Sequence, residues 1–188
     1  MESTTQIFLR VQVTDDEDDV VEGESNVGQY AGRVQIDNFT FKMSLQQQSG
    51  PKRSDNQPTL SFDTVKVSKF FDKSSIRFGQ LLKQMKKQDQ TLSEVRITID
   101  QQLEDPNAGD NAAKQQNAIV VFHLLQARIV DISLDASEAD NGTTLKETID
   151  FSFRNFAVEY YFSSDRKKSD YRDAPAWFET DYKLQPTQ

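Results

Sequence analysis

The chain has no cysteine among its 188 residues. That excludes disulfide bonds, thiolate catalysis and cysteine-based zinc sites. It has one histidine, His123, between Phe122 and Leu124. A catalytic histidine needs a nucleophile and an orienting acid arranged around it. Nothing in the sequence nominates either, so His123 reads as a partly buried or surface strand residue, and no catalytic residue is assigned. Positive charge is also scarce: 22 Lys and Arg stand against 30 Asp and Glu, for a net charge of −8 and a pI near 4.7. Such a surface neutralises phosphates poorly, which disfavours nucleic-acid binding. No apolar run approaches the roughly 18 residues of a membrane-spanning helix. Met1 to Val13 lacks the basic region and apolar stretch of a secretory signal. The expectation is a cytosolic protein without membrane insertion, exportable only by a route that uses no cleavable signal.

What the chain does have is aromatic mass. Thirteen Phe, five Tyr and one Trp suffice for the core of one domain spanning residues 1–188. The apolar residues recur mainly with a period of two, as half-buried strands require. Ile7, Leu9, Val11 and Val13 share one face of a first strand, and Val95, Ile97 and Ile99 one face of another. Ala118 to Leu134 reads as one long strand or two pieces, and Ala176 to Leu184 as a last strand.

Three segments change parity part-way. Ile149, Phe151 and Phe153 hand over to Phe156, Val158, Tyr160 and Phe162. In the strand expected over Arg33 to Gln46, Val34 and Ile36 hand over to Phe39, Phe41, Met43 and Leu45. Between Thr59 and Val67, Leu60 and Phe62 hand over to Val65 and Val67. A strand that swaps its apolar face contains a bulge or bend, common where a sheet curls into a barrel.

One stretch has helical spacing. Phe78, Leu81, Leu82 and Met85 fall at i, i+3, i+4 and i+7. Asp72-Lys73-Ser74-Ser75 supplies capping residues, so the spacing predicts a helix starting at Ser74 or Ser75 and ending between Lys86 and Asp89. Asp140-Asn141-Gly142-Thr143 is the strongest hairpin signal. Gln47 to Pro58 holds no large apolar residue and reads as a polar loop or the tip of a long hairpin; Glu104 to Asn117 reads as a turn-rich loop.

Two runs of charge stand out. Seven acids and no base lie between Asp15 and Glu24. The core of that run, Asp15 to Asp19, lacks the alternating ligands and central Gly of a calcium loop, so it reads as a solvated acidic loop rather than a metal site. Lys66, Lys69, Lys73, Arg77, Lys83, Lys86 and Lys87 form a basic stretch opposed within it only by Asp72. Its bland reading is a solvated helix face. A sharper reading suits stacked assemblies, in which unlike surfaces meet in a heterologous contact.

Several strings, in order, resemble the haemolysin-coregulated protein family, the tube proteins of bacterial type VI secretion systems. They are Ile7-Phe8-Leu9-Arg10-Val11; Gly23-Glu24-Ser25 leading into Val34-Gln35-Ile36-Asp37-Asn38-Phe39; Phe62 to Ser75 running into the helix; and Ile149-Asp150-Phe151-Ser152-Phe153 continuing to Glu159-Tyr160. The resemblance implies a mainly β fold: a small, closed or nearly closed barrel of antiparallel strands, one flanking helix and an extended hairpin loop. It implies homo-oligomeric rings, commonly hexamers, stacking into a hollow tube whose lumen can hold effectors. The implied partners are further copies of the chain and the sheath, spike and effector proteins of the apparatus. The implied setting is the bacterial cytoplasm, then secretion. No cofactor is implied. A heavier acidic stretch, a glycine-poor polar loop and a long insertion at 104–117 mark a divergent member.

The polar loop occupies the place of the family's extended loop. It would gain little by packing on its own barrel. Gln47, Gln48, Ser49, Lys52, Arg53, Asp55 and Asn56 are therefore the candidate contact between subunits or stacked rings. Two alternatives remain: a tail-tube protein of a phage-like contractile injector, and a monomeric ligand-binding β-barrel with an apolar cavity.

Overall fold

Each of the three parity changes falls at a strand break. A computed structural model describes residues 4–46, 59–87, 90–104, 115–139, 142–163 and 176–181. Its strands are β1 (Thr4–Gln12), β2 (Val34–Ile36), β3 (Asn38–Thr40), β4 (Met43–Gln46), β5 (Thr59–Phe62), β6 (Val65–Phe70), β7 (Leu92–Glu104), β8 (Gln115–Ala139), β9 (Gly142–Ser152), β10 (Asn155–Ser163) and β11 (Ala176–Asp181), with one helix among the described residues, α1 (Lys73–Lys87), besides a single 3₁₀ turn at Gly28–Tyr30. The segment expected as one strand over Arg33 to Gln46 is thus three. It breaks at Asp37 and again at Phe41-Lys42, because a continuous strand would turn one of its apolar sets to solvent. β5 and β6 are likewise parted by Asp63-Thr64 and β9 and β10 by Phe153-Arg154.

The main path of the sheet runs β2-β1-β7-β8-β9-β6-β3, with β10 on β8 and β11 on β10; β4 and β5 form a separate hairpin. Every pairing is antiparallel. The two ends of the path, β2 and β3, are adjacent in the chain and separated only by Asp37, whose N–H donates to Ser68 O at 2.8 Å. The sheet therefore curls into a nearly closed barrel, leaving little free edge.

The long strand β8 forms the corner. Its first half pairs with β7 and β10, its second half with β9. At the join, Gln126 takes a left-handed φ of 50°, and a bulge between Ile129 and Asp131 drops Val130 out of the ladder. The paired segment, β9 running into β10, turns at the same level: the pairs Leu125↔Asn155 and Arg128↔Ser152 bracket the Phe153-Arg154 link, and Arg154 N–H donates to Leu125 O at 3.1 Å. Neighbouring strands must bend together to keep their hydrogen bonds. β8 begins before Ala118 and runs beyond Leu134 to Ala139, where it pairs with Gly142 beside the expected Asn-Gly turn.

At the β9–β10 link, residues of both parity sets turn inward, although Tyr160 further along β10 is exposed. Ile149, Phe151, Phe153 and Phe156 are all buried. Phe156 lies 5.1 Å from Phe41, 5.0 Å from Phe62 and 5.9 Å from Phe153, centroid to centroid, all edge-to-face.

Helix α1 starts one residue before the expected pair of serines, because Asp72 is its cap. Asp72 Oδ1 accepts Ser74 N–H at 2.9 Å, and Asp72 N–H donates to Ser75 Oγ at 3.1 Å. This reciprocal arrangement satisfies donors that the first turn would leave unpaired. Glu24, from the Gly23-Glu24-Ser25 string, accepts Lys73 N–H at 3.1 Å. Gly23 itself is required: a Cβ there would stand 2.1 Å from Arg33 O. Phe78, Leu81 and Met85 are buried, as the spacing predicts. Gly79, on a flank of the helix, meets nothing within 4 Å of where its Cβ would be. Gly79→Ala is therefore expected to stabilise the isolated protein by about 0.5–1 kcal/mol, since glycine weakens a helix interior and nothing blocks the methyl. A urea midpoint that fails to rise would contradict this.

Candidate functional site

The seven loop residues from Gln47 to Asn56 lie outside the described residues. The stem beneath them is described. β4 and β5 pair Met43↔Phe62 and Leu45↔Leu60, with the Ser44 and Ser61 hydroxyls 3.1 Å apart. Phe62 packs against the core, while Met43 and Leu45 are exposed. The hairpin thus carries apolar side chains away from the barrel.

The acidic stretch is a folded turn. Val13 N–H donates to Asp19 O at 2.8 Å, Asp18 N–H to Asp16 Oδ1 at 3.0 Å, and the Thr14 hydroxyl to Asp19 Oδ2 at 3.0 Å. Ser93 Oγ donates to Asp15. Arg77 of α1 approaches Asp19 at 3.9 Å, so the turn lies along one flank of the helix. Among the described residues, no group of His, Asp and Glu is arranged to hold a metal ion.

The basic stretch is divided between fold and surface. Lys66 pairs with Asp150 at 2.8 Å, which raises its pKa chiefly through that hydrogen bond. Lys73 reaches Glu22 at 3.5 Å. Lys69 is fully buried. Its ammonium donates to Asp72 Oδ1 at 2.7 Å, Phe70 O at 2.9 Å and Ser75 Oγ at 2.9 Å, and lies 3.2 Å from Glu147 Oε2. Ser75 Oγ in turn donates to Glu147 at 2.8 Å. Burial alone would raise the Asp72 carboxyl, but Lys69 and the Ser74 hydroxyl outweigh it and hold it below the ordinary range. This cluster ties β6, β9 and the start of α1 together. The sequence reading missed it, although a signal was there: Lys69 is in phase with Val65 and Val67, and Glu147 with Ile149 and Phe151. Lys83 and Lys86 remain exposed and make no ion pair among the described residues.

His123 sits on the outer face of the sheet among paired charges. Its Nδ1 lies 2.6 Å from Glu94 Oε1 and its Nε2 3.4 Å from Glu159 Oε1. Arg96 donates to Glu94 at 2.9 Å, and Arg10 approaches it at 3.6 Å. Burial would raise the Glu94 carboxyl; the hydrogen bond to His123 and the Arg96 charge hold it low. Beside this network a recess of about 350 Å³ is lined by Tyr30, Arg33, Thr98 and Val121. Tyr30 stacks on Phe8 at 4.1 Å, and burial followed by Asp100 pushes its phenol above the ordinary value. These contacts cross from β1 to β7, from β7 to β8 and from β8 to β10.

The family model described as "Type VI secretion system effector, Hcp" matches residues 8–160. Among solved structures, the chain is similar to one described as Hcp protein at 11% identity, TM-score 0.66, covering 97% of this chain and 100% of that one. It is similar to Hcp1 from Salmonella typhimurium at 13% identity, TM-score 0.59, covering 95% and 94%. It is similar to a type VI secretion system effector from Yersinia pestis at 14% identity, TM-score 0.58, covering 93% and 98%. Comparison with curated proteins finds no match. At these identities the structures speak for the fold, and the sequence match speaks for membership: the chain belongs to the haemolysin-coregulated protein family, the tube proteins of type VI secretion systems.

Proposed function

We propose that the protein is a single-domain structural subunit of the inner tube, and that its copies close head to tail into a ring, six to a ring, which stacks into a hollow tube. One observation carries this reading: the family match over residues 8–160 spans nearly the whole barrel, its helix and the stem of the polar loop. The role is mechanical, with no catalytic step and no cofactor. Sheath outside, spike at the tip and effectors in the lumen are the partners. The protein is made in the bacterial cytoplasm and leaves through the apparatus. Negative-stain microscopy with light scattering tests the reading. Rings are expected; monomer alone over a wide concentration range, with no rings on grids, would overturn it and favour a monomeric ligand-binding barrel.

Within that assembly, the loop 47–56 touches a neighbouring subunit or the next ring. Its stem already lifts Met43 and Leu45 into solvent. Reversing Lys52 and Arg53 to Glu is expected to weaken assembly, and raising salt should weaken the wild type in the same direction. Folding stability should change by less than about 0.5 kcal/mol. Ring stacking that survives the double reversal unchanged would leave the loop a solvated tip.

A further inference from the structure

The two flanks of α1 carry opposite charge. On one flank, beside Arg77, lies the turn Asp15–Asp19, five consecutive acids. On the other a groove of 760 Å³ opens between the helix and the β8 corner. Gly79, Leu82, Ile129 and Val130 form its apolar floor, and Lys83, Lys86 and Arg128 stand around it; among the described residues no acid lines it. Two features of the isolated fold are costly there. The bulge leaves Val130 48% exposed. The helix carries glycine at 79 although none of the described residues occupies the space of a side chain there, at the usual loss of helix stability. Both make sense if another chain approaches closely at this point. Lys83 and Lys86 are also the exposed cations of the basic stretch left unpaired by the described residues.

We propose that this groove receives the acidic turn Asp15–Asp19 of a second copy. The inference rests on the ring-forming reading above and names its contact. Within one molecule the turn is held on the far flank of the helix by Arg77 and Ser93, so it cannot fill its own groove. Val20, half-buried at the foot of the turn, meets the apolar floor. The carboxylates meet the lysines. Turn and groove lie on opposite sides of one helix, so the contact repeats in one direction from copy to copy. That is a heterologous contact, which closes into a ring when its rotation permits. Charge of opposite sign across it sets orientation and speeds encounter.

Full-length variants test the contact by negative-stain microscopy and light scattering. Lys83→Glu with Lys86→Glu is expected to abolish rings, and so is Asp16→Lys with Asp18→Lys. All four substitutions in one chain restore the opposite signs, so rings should return. Gly79→Leu, which fills the groove with a good helix former, should keep the fold by circular dichroism and lose the rings. Because the chain has no cysteine, Glu17→Cys in one sample and Val130→Cys in another give a direct readout: mixed and oxidised, they should form a disulfide between copies. Rings that persist in both charge reversals, or rings whose mixed pair forms no disulfide, overturn this contact and leave the ring standing. A wild type without rings, together with a mixed pair that forms no disulfide, overturns both.

Discussion

Replacing Lys69 with methionine should destabilise the fold by about 3–5 kcal/mol, as expected when one partner of a buried charge pair is removed. Lys69 is 0% exposed and Glu147 1% exposed. Without the ammonium, the Glu147 carboxyl is left in a buried site with the Ser75 hydroxyl as its donor among the described residues. Asp72 loses its shortest cation contact and is left holding the helix cap alone. A domain of this kind has roughly 5–15 kcal/mol in all, so the loss is a large part of the total. Lys69→Met with Glu147→Gln removes the stranded charge and keeps an acceptor for Ser75; it should recover at least half of the loss. Urea unfolding of both variants and of Glu147→Gln alone closes the cycle. A single-variant loss below about 1 kcal/mol would mean the cluster adds little. The same cluster sets an acid limit. The Asp72 carboxyl is held below its ordinary value, so the stability it contributes is complete above the ordinary carboxylate range and is lost as pH falls through the lowered value.

Phe156→Ala should cost about 3–5 kcal/mol, the range for a large aromatic truncated in a core. The ring is 1% exposed and makes edge-to-face contacts with Phe41, Phe62 and Phe153. Those three come from the β3–β4 link, β5 and the β9–β10 link, so the cavity would open where the barrel's corners meet and could not collapse easily. Tyr160, two positions further along the same parity and exposed, is the control: its truncation should change stability by less than about 0.5 kcal/mol. Equal costs at the two positions would show that the inward set ends elsewhere.

The fold was legible where local pattern and burial coincide. Phe78, Leu81 and Met85 lie on the buried side of α1 because a helix returns every third and fourth residue to one face. The parity changes marked the corners because a side chain can change sheet face only where the strand breaks or bulges. Reading Arg33 to Gln46 as one strand failed on length: pieces of three and four residues are too short to separate by alternation. The candidate site was less legible. Lys69 and Glu147 stood in apolar phase, yet polarity argued for a solvated face. Burial won because four hydrogen-bonding or charged groups converge on one ammonium.

By itself, then, the sequence determined most of the apolar residues that turn inward, where the chain bends and, to within a residue, where its helix begins. Each of these is a local property, set by side-chain periodicity and capping within a few residues. The tertiary structure decided what no local window contains. It joined Ser75 to Glu147 across 72 residues, brought the neighbouring strands β2 and β3 to opposite ends of one curled sheet, and placed acids and exposed lysines on opposite flanks of α1. Those pairings depend on which strands meet once the apolar faces have been buried. The charges then take whatever partners the closed barrel leaves within reach.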